Sequence, residues 1–285
     1  MSGYRSHLEG KTWIAAHRGA YGGNIPCNTI PAFQAALFSQ ADVIELDVSE
    51  SLDGTLYVFH PGMEPVFLKS SKLISEMYDH EVQAQILHNT DAIPTQWGVP
   101  LFDDVLQMLK DKCVINVDKF WMNIPAMAKA IRQHHMQDQV IIKTPLTKEY
   151  LKQVEEFAPD MPFMPVVSSS DEMHEYLLKQ PGLRYIGMEV SFSDESSPLA
   201  SPALIEKFHR DDCILWLNTL VYDHHTLLSA SHSDDTAMAG ELHNGWGWAI
   251  EKGYDILQTD WPLELRLYGS QKYPQQIAPF RKLFE

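Results

Sequence analysis

Eight short, almost uninterrupted apolar runs, spaced by segments of helical character, limit this chain's fold more than any other feature. The runs fall at 13–16, 43–47, 114–118, 140–143, 162–167, 185–189, 214–218 and 256–260. Strands that read as continuously apolar are those covered on both faces, as in a parallel sheet. Helical segments at 29–39, 102–110, 124–134, 148–157, 172–179, 202–210 and 247–252 lie between them. Thr147 and Ser201-Pro202 supply start signals for two of these. No glycine- or serine-rich linker divides the 285 residues, so a single domain over 1–285 is expected. The repeat count and length are those of an α/β (β/α)8 TIM barrel. An open doubly wound sheet fits less well, because it normally uses fewer strands and no glycine-rich phosphate turn follows the first run.

Two features interrupt the alternation. Asp53-Gly54 is a turn signal that predicts a short hairpin extension at 55–59 off the second strand. Residues 61–98 are too long for an ordinary strand-to-helix loop and include a helical stretch at 73–87. They are expected to form a small insertion after the second strand, at the barrel mouth, where such folds build their sites.

Charge narrows the function classes. With 22 Lys and Arg against 38 Asp and Glu, the net charge is −16, and no basic stripe is present to bind nucleic acid. A small anionic substrate stays compatible, since a local metal ion and an arginine invert the sign within a cleft. The three cysteines, Cys27, Cys113 and Cys213, form no CxxC pair, which argues against a disulfide framework and favours a reducing compartment. A cytoplasmic protein is therefore expected, with a periplasmic or secreted one fitting if a leader was removed. No run approaches the ~20 apolar residues of a membrane helix. The sequence leaves oligomeric state open.

The chemistry-bearing residues gather at run ends. His17 closes the first run and is followed by Arg18-Gly19, and His60 follows the hairpin extension. Two imidazoles at one mouth are suited to proton transfer near neutral pH. Glu45 and Asp47 alternate within an apolar run, so period two sends both to one side. Buried carboxylates need a partner, and a hard divalent cation is an economical one, with Asp118 at the end of the third run as a further ligand. Arg18 offers a planar fork for phosphate oxygens. Lys119 and Lys143, at or just past run ends, are further candidates for the anion, Lys143 the better placed by strand parity. Trp216 is a candidate pocket wall with core packing as the alternative, and Glu189 a candidate for substrate hydroxyls.

The spaced order His17-Arg18-Gly19, Pro26-x-Asn28-Thr29, Glu45-Leu46-Asp47-Val48, Asp53-Gly54 and His60 resembles the glycerophosphodiester phosphodiesterase family. The resemblance continues through Asn116-Val117-Asp118, Leu215-Trp216-Leu217-Asn218 and the closing Thr259-Asp260-Trp261-Pro262, so it covers the whole barrel. It implies hydrolysis of a glycerol phosphodiester to an alcohol and glycerol 3-phosphate. The implied acid/base pair is His17 and His60, with one divalent cation, Mg2+ or Ca2+, on Glu45, Asp47 and Asp118. Arg18, Lys143, Trp216 and Glu189 would contact the substrate. Three positions depart from the pattern: Cys27 stands for a carboxylate, Pro61 for an aspartate, and Phe120 for a lysine. Two alternatives are a phospholipase D-like lyase forming a cyclic phosphate and a barrel that binds a phosphodiester or sugar phosphate without turnover.

Overall fold

A computed structural model of the chain describes residues 4–223 and 225–280. The strands among these residues are β1 (Trp13–Ala16), β2 (Val43–Glu50), β3 (Leu56–Val58), β4 (Val114–Asp118), β5 (Val140–Pro145), β6 (Pro162–Val167), β7 (Arg184–Tyr185), β8 (Gly187–Val190), β9 (Ile214–Asn218) and β10 (Ile256–Thr259). The α-helices are α1 (Ile30–Phe38), α2 (Glu64–Phe67), α3 (Asp79–Gln83), α4 (Phe102–Leu109), α5 (Ile124–Gln133), α6 (Lys148–Phe157), α7 (His174–Leu177), α8 (Pro202–Arg210), α9 (Asp234–Met238), α10 (Trp248–Lys252) and α11 (Pro262–Lys272). Eight strands, all but β3 and β7, are parallel and alternate with helices, which makes the fold class a (β/α)8 barrel as expected. No helix among the described residues is long and apolar enough to cross a membrane. His224, half of a His-His pair in the sequence, lies outside the described residues.

The chain forms two compact units, one of residues 17–38 and 43–162, the other of 4–16, 39–42 and 163–280. In the first, β4 lies between β2 and β5, with Glu45 opposite Asn116 and Asp47 opposite Asp118. Ile44, Leu46 and Val48 on β2 are fully buried, and so are Ile115 and Val117 on β4. β3 folds back antiparallel on the end of β2 through a turn in which Ser51 N–H donates to Thr55 O at 2.9 Å. This is the predicted hairpin. The 73–87 segment differs from a continuous helix: it holds a 3-10 turn, Ile74–Glu76, and then α3. Met77 and Tyr78 between them are extended, because Met77 O accepts from Leu52 N–H and the Tyr78 N–H is taken by the Glu81 carboxylate. Ile74, Met77 and Val82 pack with Tyr57, Phe59 and Leu68 in a local apolar cluster.

In the other unit β10 lies between β1 and β9, and β8 between β9 and β6. The predicted run 185–189 is split at Ile186 into β7 and β8, and β8 opens on Gly187, whose φ is +150°. A Cβ there would sit 1.9 Å from Ile214 O, so only glycine allows the two chains to approach this closely. The Thr259-Asp260-Trp261 sequence is tied to α9. Thr259 Oγ1 and Asp260 N–H donate to the Asp234 carboxylate, as do Thr219 Oγ1 and Trp246 Nε1. Helix α11 has no clean apolar spacing. It buries Arg266, which donates to Asp42 and to the carbonyls of Gln40 and Ala278, so a cation occupies a core position.

The predicted helix at 172–179 is reduced to the four residues of α7, and its His174 is fully buried. The ring stacks on Phe208 at 3.9 Å between centroids, with Nδ1 2.8 Å from Tyr185 Oη and Nε2 3.0 Å from Asp211. Burial holds the imidazole below its ordinary pKa, against the opposing pull of Asp211. The folded state thus binds this proton less tightly than the unfolded chain does, so stability is lost as pH falls below ~6.5. The urea midpoint should drop between about pH 7 and pH 5 more steeply in the wild type than in His174→Gln, which carries no titrating group there.

Candidate functional site

The C-terminal halves of β2 and β4 define the site. Because the strands are parallel and in register, Asp47 and Asp118 are neighbours, and Glu45 lies two residues back on the same face. Oxygen atoms of Glu45, Asp47 and Asp118 all fall within 4.8 Å of one another. Glu45 and Asp47 are 2% and 1% exposed. Burial, with repulsion from Asp47, pushes the Glu45 carboxyl up to about 7, against the influence of His17. Asp118 is also driven up by burial, but the Lys119 ammonium 2.7 Å away outweighs this and leaves its carboxyl below the usual range.

The loops after β1 and β4 bring the cations in through strained backbone. Arg18 (φ +56°), Asn28 (φ +55°) and Lys119 (φ +57°) are all left-handed non-glycine residues. Gly19 follows with φ +86°, and a Cβ on it would lie 2.8 Å from the Ala32 backbone in α1, which explains glycine at this point. The sharp turn aims the Arg18 N–H at Glu45 Oε2, 2.8 Å away, and its Nε at Asp47 Oδ2, 3.0 Å away. Asn28 completes the arrangement. Its Nδ2 donates to Asp47 Oδ2 at 2.9 Å, and its Oδ1 accepts from Asp47 N–H at 3.3 Å. Asp47 Oδ1 is left without a hydrogen-bond partner among the described residues, with His60 Nε2 and Lys119 Nζ each 3.9 Å away.

His17 is 5% exposed, and its charge acts on Glu45. His60, with its side chain 22% exposed, is held below the ordinary histidine range, chiefly by burial. Lys143 on β5 is 1% exposed, and its charge acts on Asp118. The structure therefore brings together His17, Arg18, Glu45, Asp47, His60, Asp118 and Lys143 within one compact unit. Glu189 and Trp216 belong to the other unit and form a chain there: Trp216 Nε1 donates to Asn218 Oδ1 at 2.9 Å, and Asn218 Nδ2 to Glu189 Oε1 at 2.8 Å. Trp216 is fully buried and Glu189 is 8% exposed. One residue not singled out for the site from the sequence is prominent here: Asn28, visible only as part of a motif. Lys119, one of the two candidate lysines, pairs with Asp118.

Three convergent carboxylates, one with a buried and unpartnered oxygen, fit a hard cation with oxygen ligands. The chain as a whole is similar to several known proteins. Residues 163–268 match a family model described as a domain of unknown function. A glycerophosphodiester phosphodiesterase of Bacillus altitudinis is 31% identical over 130 residues, 45% of this chain and 51% of that protein. The uncharacterized protein YqiK of Bacillus subtilis is 30% identical over 141 residues, 47% of this chain and 58% of that protein. The chain thus spans little more than half the length of these curated relatives. Among solved structures, a glycerophosphoryl diester phosphodiesterase from Parabacteroides distasonis superposes with a TM-score of 0.75 at 18% identity, covering 98% of this chain and 95% of that one. An Oleispira antarctica phosphodiesterase in complex with the product sn-glycerol-3-phosphate superposes with a TM-score of 0.65 at 16% identity, covering 90% and 96%.

At such identities the structural likeness defines the fold alone, a (β/α)8 barrel. In sequence, about half of the chain is similar to glycerophosphodiester phosphodiesterases. The role of Asn28 gives a direct check. Asn28→Ala should weaken binding of Mg2+ or Ca2+ by about 10- to 100-fold, as loss of a group that orients a ligand carboxylate does. Isothermal titration of each ion into the wild type and the variant measures this.

Proposed function

We propose that the protein is a divalent-cation-dependent phosphodiesterase that hydrolyses a glycerol phosphodiester to an alcohol and glycerol 3-phosphate. The observation that carries the reading is the meeting of three carboxylates within 4.8 Å, with Arg18 Nε 3.0 Å from Asp47 and two imidazoles against the same cluster. Glu45, Asp47 and Asp118 would hold the ion, Mg2+ or Ca2+, which supplies neutralisation of charge on the phosphate oxygens.

The chain's own groups do the rest. Arg18, Lys119 and Lys143 surround the position with positive charge and stabilise the negative charge that grows on the phosphoryl oxygens in the transition state. His60, kept neutral near pH 7 by its burial, takes the proton from the attacking hydroxyl. His17 gives a proton to the departing alkoxide, so that a free alcohol leaves. The burial of Glu45 and Asp47 keeps water from screening these charges. Hydrogen bonds from Asn28 and from the Arg18 backbone fix both carboxylates before substrate arrives.

Replacing either histidine should remove one proton transfer and leave the strands intact. His17→Ala and His60→Ala should each lower kcat by about 10²- to 10⁴-fold with unchanged far-ultraviolet circular dichroism. Near wild-type turnover in both variants would overturn the assignment. Phosphorus NMR of the wild-type product should show a phosphomonoester, whereas a cyclic phosphodiester would replace hydrolysis with the lyase reaction.

A further inference from the structure

We infer that Lys119 is a displaceable counter-ion of the carboxylate cluster: a divalent cation enters by driving its ammonium off Asp118, and the ammonium withdraws over the ring of Trp121. This rests on the cation-binding reading of the cluster and adds the residue that sets how tightly the ion is held. Lys119 Nζ lies 2.7 Å from Asp118 Oδ2 and 3.9 Å from Asp47 Oδ1, so it sits against two of the three groups that would hold the ion. Asp47 Oδ1 is the oxygen left without a hydrogen-bond partner among the described residues, which makes it the one most open to a hard cation. An ion on that oxygen and an ammonium beside it are like charges where little water screens them, since the Asp47 side chain is 1% exposed. One of the two has to give way. Arg18 is the more firmly held cation: its N–H donates to Glu45 at 2.8 Å, and its Nε lies 3.0 Å from Oδ2, the other oxygen of Asp47.

The local fold pins the backbone here and leaves the movement to the side chain. Phe120 is fully buried, so the position where the family pattern has a lysine is given to the core. Left-handed Lys119 (φ +57°) opens a 3-10 turn, Phe120–Met122, in which Met122 N–H donates to Lys119 O at 2.8 Å. Asn123 anchors the far end, its Nδ2 donating to Glu50 and its Oδ1 accepting from Ala126 N–H at 3.1 Å. This tight turn brings Trp121 back beside the lysine, with Nζ 5.1 Å from the ring centroid. An ammonium within ~6 Å of an indole centroid is attracted by the ring's negative face. Lysine carries a compact charge on a flexible four-carbon stem, so the ammonium can leave Asp118 and stay over Trp121 without any backbone change. A second resting place for the displaced charge is therefore already built beside the first.

Isothermal titration of Mg2+ and of Ca2+ into the full chain separates this role from that of a lysine that merely orients Asp118. A displaced counter-ion opposes the metal, so Lys119→Met should bind each ion more tightly than the wild type, by about tenfold. Loss of an orienting group would instead weaken binding, by about 10- to 100-fold. Trp121→Leu removes the second resting place and should weaken binding by about threefold in the wild type, with no effect in the Lys119→Met background. A crystal structure with Mn2+ bound gives a readout independent of affinity: Lys119 Nζ should lie beyond ~4 Å, the limit of an ion pair, from both Asp118 oxygens. Equal or weaker binding by Lys119→Met, or an ammonium still paired with Asp118 beside the bound ion, overturns the inference and leaves the cation-binding reading standing. Binding by Lys119→Met alone supports the inference, and binding by neither protein overturns it together with that reading.

Discussion

Glu45, Asp47 and Asp118 repel one another, and much of the surrounding structure answers to that repulsion. Three carboxylates within 4.8 Å in a nearly dry setting are unstable unless positive charge or donors surround them. Arg18 and Lys119 supply the charge, Asn28 and the Arg18 N–H supply the donors, and the Glu45 carboxyl is still pushed to about 7. Such a cluster contributes little to stability by itself. It makes sense as a receptor for cationic charge, which is why the functional reading begins from it.

The same cluster accounts for where the backbone is strained. Left-handed conformations at Arg18, Asn28 and Lys119 each cost roughly 1 kcal/mol or more for a residue with a side chain. All three belong to side chains that touch Asp47 or Asp118. Rigid packing pays for them: Gly19 sits hard against α1, and the β2 and β4 backbones carry fully buried aliphatic residues on either side.

Much of the fold was legible because parallel strands covered on both faces leave an unmistakable apolar signature. The side on which Glu45 and Asp47 emerge follows from strand parity, and Asp118 from its place at the end of a run. What escaped has a common physical cause. The 3-10 turn and short helix in 73–87, the four-residue α7, and α11 with its buried Arg266 are each shaped by bonds to residues distant in sequence. Apolar spacing cannot report such bonds. Asn28 lay in a motif, but its function as the brace of Asp47 depends on a hydrogen bond across 19 residues.

By itself, the sequence determined the eight-strand alternation, the hairpin after the second strand and the residue types available for chemistry, because these depend on local period and turn chemistry. Tertiary structure decided the rest. The pairing of β2 with β4 set Asp47 opposite Asp118, and β2 runs on to Glu50 beyond that pairing, where β3 folds back on it. Both depend on where one strand stops beside another, and that is settled by packing among segments that are far apart along the chain.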